Sequence, residues 1–185
     1  LEAGYGRRGA PGVFLLHGFP ELAYSWRHIM VPLSEAGYHV VAPDMRGYGD
    51  TDAPPNVEDY DIEHLAADMV GLLDTLGEER AVIVGHDWGG AVAYHLAYDH
   101  PEMVERLMIL DMTPGLARKG EKLDVAVAQQ LWHVFFHAGM PDLAEKLVSN
   151  NIETYLRHFY NSTVYNYSPN VFSDEDVAEF VRVYS

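Results

Sequence analysis

An aspartate stands between glycines in Gly85-His86-Asp87-Trp88-Gly89, where an apolar run ends and a helical pattern begins. In a turn this tight, a Cβ atom at either glycine position would clash with the neighbouring backbone. Such a turn exposes the central side chain and can present it to a substrate as a nucleophile. An aspartate at this position could instead only cap the helix. The strand and helix patterns on its two sides favour Asp87 as a nucleophile.

A carboxylate nucleophile restricts the chemistry. It attacks a saturated carbon by displacement and forms an alkyl ester, which a water molecule activated by a histidine then hydrolyses. Suitable substrates carry an electrophilic sp³ carbon with a leaving group, so the predicted small-molecule partner is an epoxide or an organohalide. No cofactor is required for this chemistry.

A second short motif, His17-Gly18-Phe19-Pro20, follows the first apolar run. The loop at this place can supply one backbone N–H of an oxyanion hole, and the residue after the nucleophile can supply the other. We therefore predict that Phe19 and Trp88 donate these N–H groups. His17 is predicted to belong to the same oxyanion and substrate-binding group.

The elements that must position these residues alternate between two patterns. Short apolar runs at 13–16, 39–42, 81–84 and 107–110 predict buried strands, and helical spacing is found at 23–36, 61–77 and 89–98. The segment 43–60 is rich in Pro, Gly and Asp and is predicted to be a loop. This alternation predicts an α/β fold, with a mostly parallel sheet covered by helices on both faces.

The pattern becomes all-helical after Asp111. Helices are predicted at 123–138, 142–148, 151–160 and 174–184, with a capping box at Ser173-x-x-Asp176. We therefore assign residues 1–115 to the N-terminal part of an α/β core and residues 116–185 to an incomplete helical cap.

Composition excludes several classes of function. Lys+Arg 12 against Asp+Glu 28 gives a net charge of −16, which disfavours nucleic-acid binding. The absence of cysteine excludes disulfides and a thiol nucleophile. No apolar run is long enough to span a membrane, and a cytoplasmic location is favoured.

A G-x-G-x-x-G match at 4–9 has no strand before it, so a loose turn is predicted there.

Four motifs together resemble the epoxide hydrolase branch of the α/β-hydrolases: His17-Gly18-Phe19-Pro20-Glu21, Tyr24-Ser25-Trp26-Arg27, Asp44-Met45-Arg46-Gly47-Tyr48-Gly49 and Gly85-His86-Asp87-Trp88-Gly89-Gly90. The resemblance covers nearly the whole chain and is strongest over 12–115. It implies an α/β-hydrolase fold with a cap, and it implies that Asp44, Arg46 and Gly47 shape a loop. Haloalkane and fluoroacetate dehalogenases share much of this pattern.

The resemblance also implies a role for Asp111, which ends the fourth predicted strand. Part of the family places the acid of its catalytic triad there, where it orients a histidine and stabilises its charged form. An aspartate that only turns the chain at a strand end is the alternative.

In the cap, Trp132-His133-Val134 matches a Trp-His motif whose histidine, in a similar bacterial subgroup, takes the place of a tyrosine that donates to the epoxide oxygen. A core histidine, or zinc bound by His133 and His137, are the alternatives. Val134, Trp88 and Ala91 depart from the fluoroacetate dehalogenase pattern and favour an uncharged substrate.

The family's catalytic histidine follows a late strand, and no histidine of this sequence does. We therefore expect that this histidine and a second cap tyrosine belong to a missing C-terminal portion or to a complementary chain. A homodimer stays open. The leading prediction is an epoxide hydrolase, and the alternatives are a dehalogenase with the same nucleophile and a non-catalytic hydrolase-like binding protein.

Overall fold

The computed structural model describes residues 1–4, 10–112, 125–161 and 171–185. The predicted turn at 4–9, apart from its first residue, and the predicted domain boundary at 115/116 lie outside these residues. The chain divides into two compact units, Leu1–Pro114 and Gly115–Ser185. The first is called the core unit below, and the second the helical unit.

The core unit contains one sheet, whose strands follow the order β1-β3-β2-β4-β5. The strands are β1 Glu2–Ala3, β2 Gly12–Leu16, β3 His39–Val41, β4 Ala81–His86 and β5 Val104–Leu110. All pairs are parallel except β1 with β3. The four predicted strands and the mostly parallel sheet are confirmed. The short β1 was not predicted, because two residues carry no period, and the expectation that no strand precedes Gly4 is wrong.

Helices pack on both faces of this sheet, as predicted. They are α1 Arg27–Glu35, α2 Ile62–Leu76 and α3 Trp88–Asp99, and 3₁₀ turns occupy Ala23–Trp26 and Val57–Tyr60. Alternate residues of β2 enter different apolar clusters. Phe14 packs with Leu73 and Leu96 from α2 and α3, whereas Leu15 packs with Met30 from α1. A continuous apolar run is therefore what a strand with both faces covered requires.

The strand β5 departs from this rule. Leu107, Met108 and Leu110 are 37%, 54% and 38% exposed, although the sequence predicted a buried strand. Among the described residues β5 pairs only with β4. It therefore forms an edge of the sheet, and its apolar side chains are exposed there.

The helical unit contains α4 Val125–Gln130, α5 Trp132–Gly139, α6 Pro141–Ser149, α7 Ile152–Tyr160 and α8 Asp174–Tyr184. The helix predicted at 123–138 is divided at Leu131, whose φ of −93° and ψ of 17° interrupt the helix. The capping box is confirmed, since Ser173 and Asp176 exchange both of its hydrogen bonds. None of the helices described here has the length and apolar character to cross a membrane.

Candidate active site

Asp87 forms the turn between β4 and α3. Its φ is +52° and its ψ is −119°, which is a strained backbone for a residue with a side chain. A Cβ atom on Gly85 would lie 2.2 Å from the carbonyl oxygen of Gly89, and one on Gly89 would lie 2.3 Å from that of Leu16. The two glycines are therefore required by backbone contacts, as the sequence indicated.

The carboxylate of Asp87 does not cap α3, although the residue occupies the N-cap position. Its Oδ1 instead accepts a hydrogen bond of 2.9 Å from the backbone N–H of Phe19. The capping alternative is therefore wrong. The carboxylate is half-buried, and the bond from Phe19 fixes which of its oxygens faces the loop after β2.

The loop that carries Phe19 approaches the nucleophile very closely. A Cβ atom on Gly18 would lie 2.5 Å from the Cβ atom of Asp87, so a larger residue would displace the loop after β2 or the nucleophile turn. The structure thus brings the predicted donor Phe19 to the predicted nucleophile. Trp88 begins α3 directly after Asp87, and its side chain is 52% exposed. Oxyanion binding by the Trp88 N–H stays a prediction.

His17 is placed differently from the sequence prediction. Its side chain is fully buried, and its Nε2 accepts the N–H of Met45 at 3.0 Å. Its Nδ1 lies 2.9 Å from the carbonyl oxygen of Gly18 and must donate to it. Burial lowers the pKa of His17 and keeps this neutral tautomer. Both nitrogens are thus occupied by backbone groups, and the ring supports the loop without presenting a nitrogen to a ligand.

An ion pair beside the nucleophile was not predicted. One oxygen of Glu21, Oε2, lies 2.8 Å from Nδ1 of His86 and also accepts the N–H of Gly18 at 3.1 Å. Glu21 thereby connects the loop after β2 to the residue that precedes Asp87. Both residues stood in the recognised motifs, but the contact joins positions 65 apart, and no local spacing signals it.

The charges of this pair stabilise each other. The hydrogen bond that His86 donates to Glu21 raises the pKa of His86 against the effect of burial, with smaller contributions from Asp87 and Asp111. Burial would raise the pKa of Glu21, but the bond and charge of His86 outweigh it and lower the pKa. The pair is therefore a carboxylate and an imidazolium between the ordinary pKa values of 4.5 and 6.5.

Asp111 follows β5 directly and is exposed, with a φ of +50°. The preceding residue, Leu110, accepts the backbone N–H of Asp87 at 3.1 Å, and the two strand ends are paired in register at His86 and Leu110. The structure thus places the predicted acid partner at the strand end adjoining the nucleophile turn. The catalytic role of Asp111 stays a prediction.

His133 lies on α5 of the helical unit and is half-buried among aromatic rings. Its ring centroid is 6.0 Å from that of Trp132 and 5.1 Å from that of Phe159. Nε2 of His137 lies 2.7 Å from the hydroxyl oxygen of Tyr155, so it is already engaged. The described residues contain no group of three side chains that could hold a metal ion. The proton-donor role of His133 stays a prediction.

A nucleophile turn between β4 and α3, with a backbone donor from the loop after β2, defines an α/β-hydrolase site. The family model described as alpha/beta hydrolase fold matches residues 11–179, and the chain belongs to this family.

Two proteins similar in sequence are named epoxide hydrolases. The chain is 47% identical over 171 residues to a soluble epoxide hydrolase of Corynebacterium sp., with 92% of this chain and 59% of that protein covered. It is 55% identical over 113 residues to epoxide hydrolase A of Mycobacterium tuberculosis, covering 61% of this chain and 35% of the relative. The chain thus spans about three fifths, or less, of the length of these relatives.

Solved structures agree with the fold. The ligand-free epoxide hydrolase CorEH superimposes with a TM-score of 0.90 at 46% identity, covering 98% of this chain and 62% of the other. Cfl2 from Burkholderia cenocepacia superimposes with a TM-score of 0.85 at 36% identity, covering 97% of this chain and 60% of the other.

Proposed function

We propose that this protein hydrolyses epoxides to vicinal diols through an ester of Asp87. The observation that carries the proposal is the hydrogen bond from the Phe19 N–H to Oδ1 of Asp87 at the nucleophile turn. The names of the similar proteins support the same substrate class.

We propose different tasks for the two carboxylate oxygens, which the bond from Phe19 distinguishes. Oδ1 is held by Phe19, so Oδ2 is the oxygen that attacks. As the Oδ2–carbon bond forms, the ring carbon–oxygen bond breaks, and its electron pair remains on the epoxide oxygen, which takes up a proton. We propose that His133 supplies this proton.

In the second half, water adds to the ester carbon while a base accepts its proton. The electron pair of the carbonyl moves onto Oδ1, where the Phe19 N–H stabilises the new charge. The carbonyl then re-forms, the Cγ–Oδ2 bond breaks, and Oδ2 leaves with the diol after taking a proton from the base. The carboxyl group, which now carries the water oxygen, releases its proton to replace the one that His133 lost, and the carboxylate is restored. His86 has its Nδ1 bound to Glu21, so we propose that another histidine is the base and that Asp111 orients it.

A single-turnover experiment in ¹⁸O-labelled water tests the ester. The full-length gene product, in excess over an epoxide, should release diol whose added oxygen is unlabelled, because that oxygen comes from Asp87. Labelled diol in the first turnover would contradict the mechanism. Asp87→Asn should reduce diol formation by more than about a thousandfold. The matched control Asp74→Asn changes an exposed carboxylate on α2 and should retain full activity.

The same preparation separates the alternatives. Halide release from a haloalkane without diol formation from epoxides would indicate a dehalogenase. Tight binding of either compound without any product would indicate a non-catalytic binding protein.

A further inference from the structure

The loop that carries Phe19 is held at two points by the loop that follows β3. At its start, His17 accepts the N–H of Met45 at 3.0 Å. At its end, the N–H of Ala23 donates to Oδ1 of Asp44 at 2.8 Å. The donor Phe19 lies between these two attachments. These two attachments restrain both ends of the loop that places the Phe19 N–H at Asp87.

The contact to Asp44 replaces a helix cap. Ala23 begins the 3₁₀ turn Ala23–Trp26, and the preceding Leu22 offers no side-chain hydrogen bond at the N-cap position. Asp44, which is 21 residues further along the chain, accepts the open N–H instead. Without this acceptor, the first turn would lose the attachment that fixes the end of the Phe19 loop.

Asp44 is itself held firmly. Its backbone carbonyl accepts the hydroxyl of Thr51 at 2.7 Å. A Cβ atom on Gly49, whose φ is +57°, would lie 2.2 Å from Oδ2 of Asp44, so only glycine leaves room for the carboxylate. The segment 44–51 thus restrains the backbone of Asp44 at Thr51 and leaves room for its carboxylate at Gly49.

We propose that Asp44 is a positioning residue of the oxyanion hole, which acts through Ala23 to hold the Phe19 N–H at Oδ1 of Asp87. Its kinetic consequence rests on the proposed epoxide hydrolysis, but its structural consequence does not. The negative charge grows on Oδ1 when water adds to the ester, and it leaves the carboxylate when the ester forms. Loss of the alignment should therefore slow ester hydrolysis far more than ester formation.

The first measurement needs no substrate. In the full-length gene product labelled with ¹⁵N-phenylalanine, hydrogen exchange reports the protection of the Phe19 amide. Asp44→Ala should accelerate this exchange about tenfold, since one hydrogen bond holding the loop is lost. Asp44→Asn keeps an oxygen that can accept from Ala23 and should restore the protection. The serine side chain in Asp44→Ser is too short to reach Ala23, so this variant should behave like Asp44→Ala. It replaces Asp44→Ala in the experiment if that variant fails to fold.

The matched control removes another attachment of the loop after β3, the one made by Asp68 on α2. Asp68 holds Arg46 through two hydrogen bonds of 2.8 and 2.6 Å and, among the described residues, makes no hydrogen bond to the Phe19 loop. Asp68→Ala should lower the stability without changing Phe19 exchange. The proposal is overturned if Asp68→Ala accelerates exchange as much as Asp44→Ala, or if both short variants fold and leave Phe19 protected.

The second measurement follows the alkyl-enzyme by rapid quench and intact mass. In Asp44→Ala its decay should slow about tenfold to a hundredfold while its formation changes little, so the ester accumulates. Equal slowing of both steps, or of neither, would overturn the positioning role. If the wild-type protein forms no ester at all, the proposed function fails. The exchange measurement still shows whether Asp44 holds the Phe19 N–H in position.

Discussion

The ion pair between Glu21 and His86 should make the stability of the core unit depend on pH. Because its pKa is raised in the folded state, His86 contributes stability that is complete below its ordinary pKa of 6.5 and is lost as the pH rises through the raised value. Because its pKa is lowered, Glu21 contributes stability that is complete above its ordinary pKa of 4.5 and is lost as the pH falls through the lowered value. The pair therefore stabilises most between pH 4.5 and 6.5.

The magnitude follows from the contacts. Glutamine at position 21 can still accept from Gly18 but carries no charge for His86. A hydrogen bond to a charged group contributes about 1.5–3 kcal/mol when buried. The side chains of His86 and Glu21 are 29% and 21% exposed, which places the loss in Glu21→Gln near the lower end, at about 2 kcal/mol. Above the raised pKa of His86, the imidazole is neutral and the loss should fall below about 1 kcal/mol.

Urea titrations at pH 5.5 and pH 9 would measure this difference in the free energy of unfolding. Glu58→Gln, which changes an exposed carboxylate that makes no ion pair within the described part of the chain, is the matched control and should show no such pH dependence. The reasoning is refuted if Glu21→Gln destabilises the protein equally at both pH values, because the lost contact would then not involve a charged histidine.

Three further predictions concern stability. Gly85→Ala forces a Cβ atom to 2.2 Å from a carbonyl oxygen and should lower the free energy of unfolding by more than about 3 kcal/mol or prevent folding. Gly71→Ala, where the Cβ atom enters open space on α2, should raise the free energy of unfolding by as much as about 1 kcal/mol, and thermal melts measure both. His39 lies between carboxylates at 2.7 Å on both ring nitrogens, and these outweigh burial and raise its pKa. His39→Gln should therefore destabilise more at pH 6 than at pH 9, and an equal loss at both would contradict a charged His39. Ser173→Ala removes the capping box of α8 and should cost about 1 kcal/mol by urea denaturation, and an unchanged midpoint would show that the cap contributes nothing.

The sequence was most informative where the chemistry is local. The turn around Asp87 was predictable because the nucleophile and both glycines lie within five residues, between a strand and a helix. The contacts from Glu21 to His86 and from Asp44 to Ala23 were not, because each joins a side chain to a group brought near only by the tertiary fold.

Other differences have equally physical causes. His17 was predicted to bind ligands because of its position in a motif, but that position places it beneath the loop, where backbone groups occupy both nitrogens. The break at Leu131 divides a helix whose apolar spacing continues across it, so periodicity could not locate it. The exposure of β5 depends on which strands pair with it, and its own apolar residues carry no such information.

The backbone strain at Asp87 has a consequence for which residue can occupy this position. A left-handed backbone costs a residue with a side chain about 1–3 kcal/mol, and glycine would avoid most of that cost. The hydrogen bond from Phe19 to the carboxylate, which glycine would forfeit, is worth about 1.5–3 kcal/mol, a range similar to that cost. A glycine variant without a nucleophile would therefore be about as stable as the wild-type protein. Folding energetics alone thus give no reason for an acidic residue at φ +52°, whereas the proposed nucleophile role does.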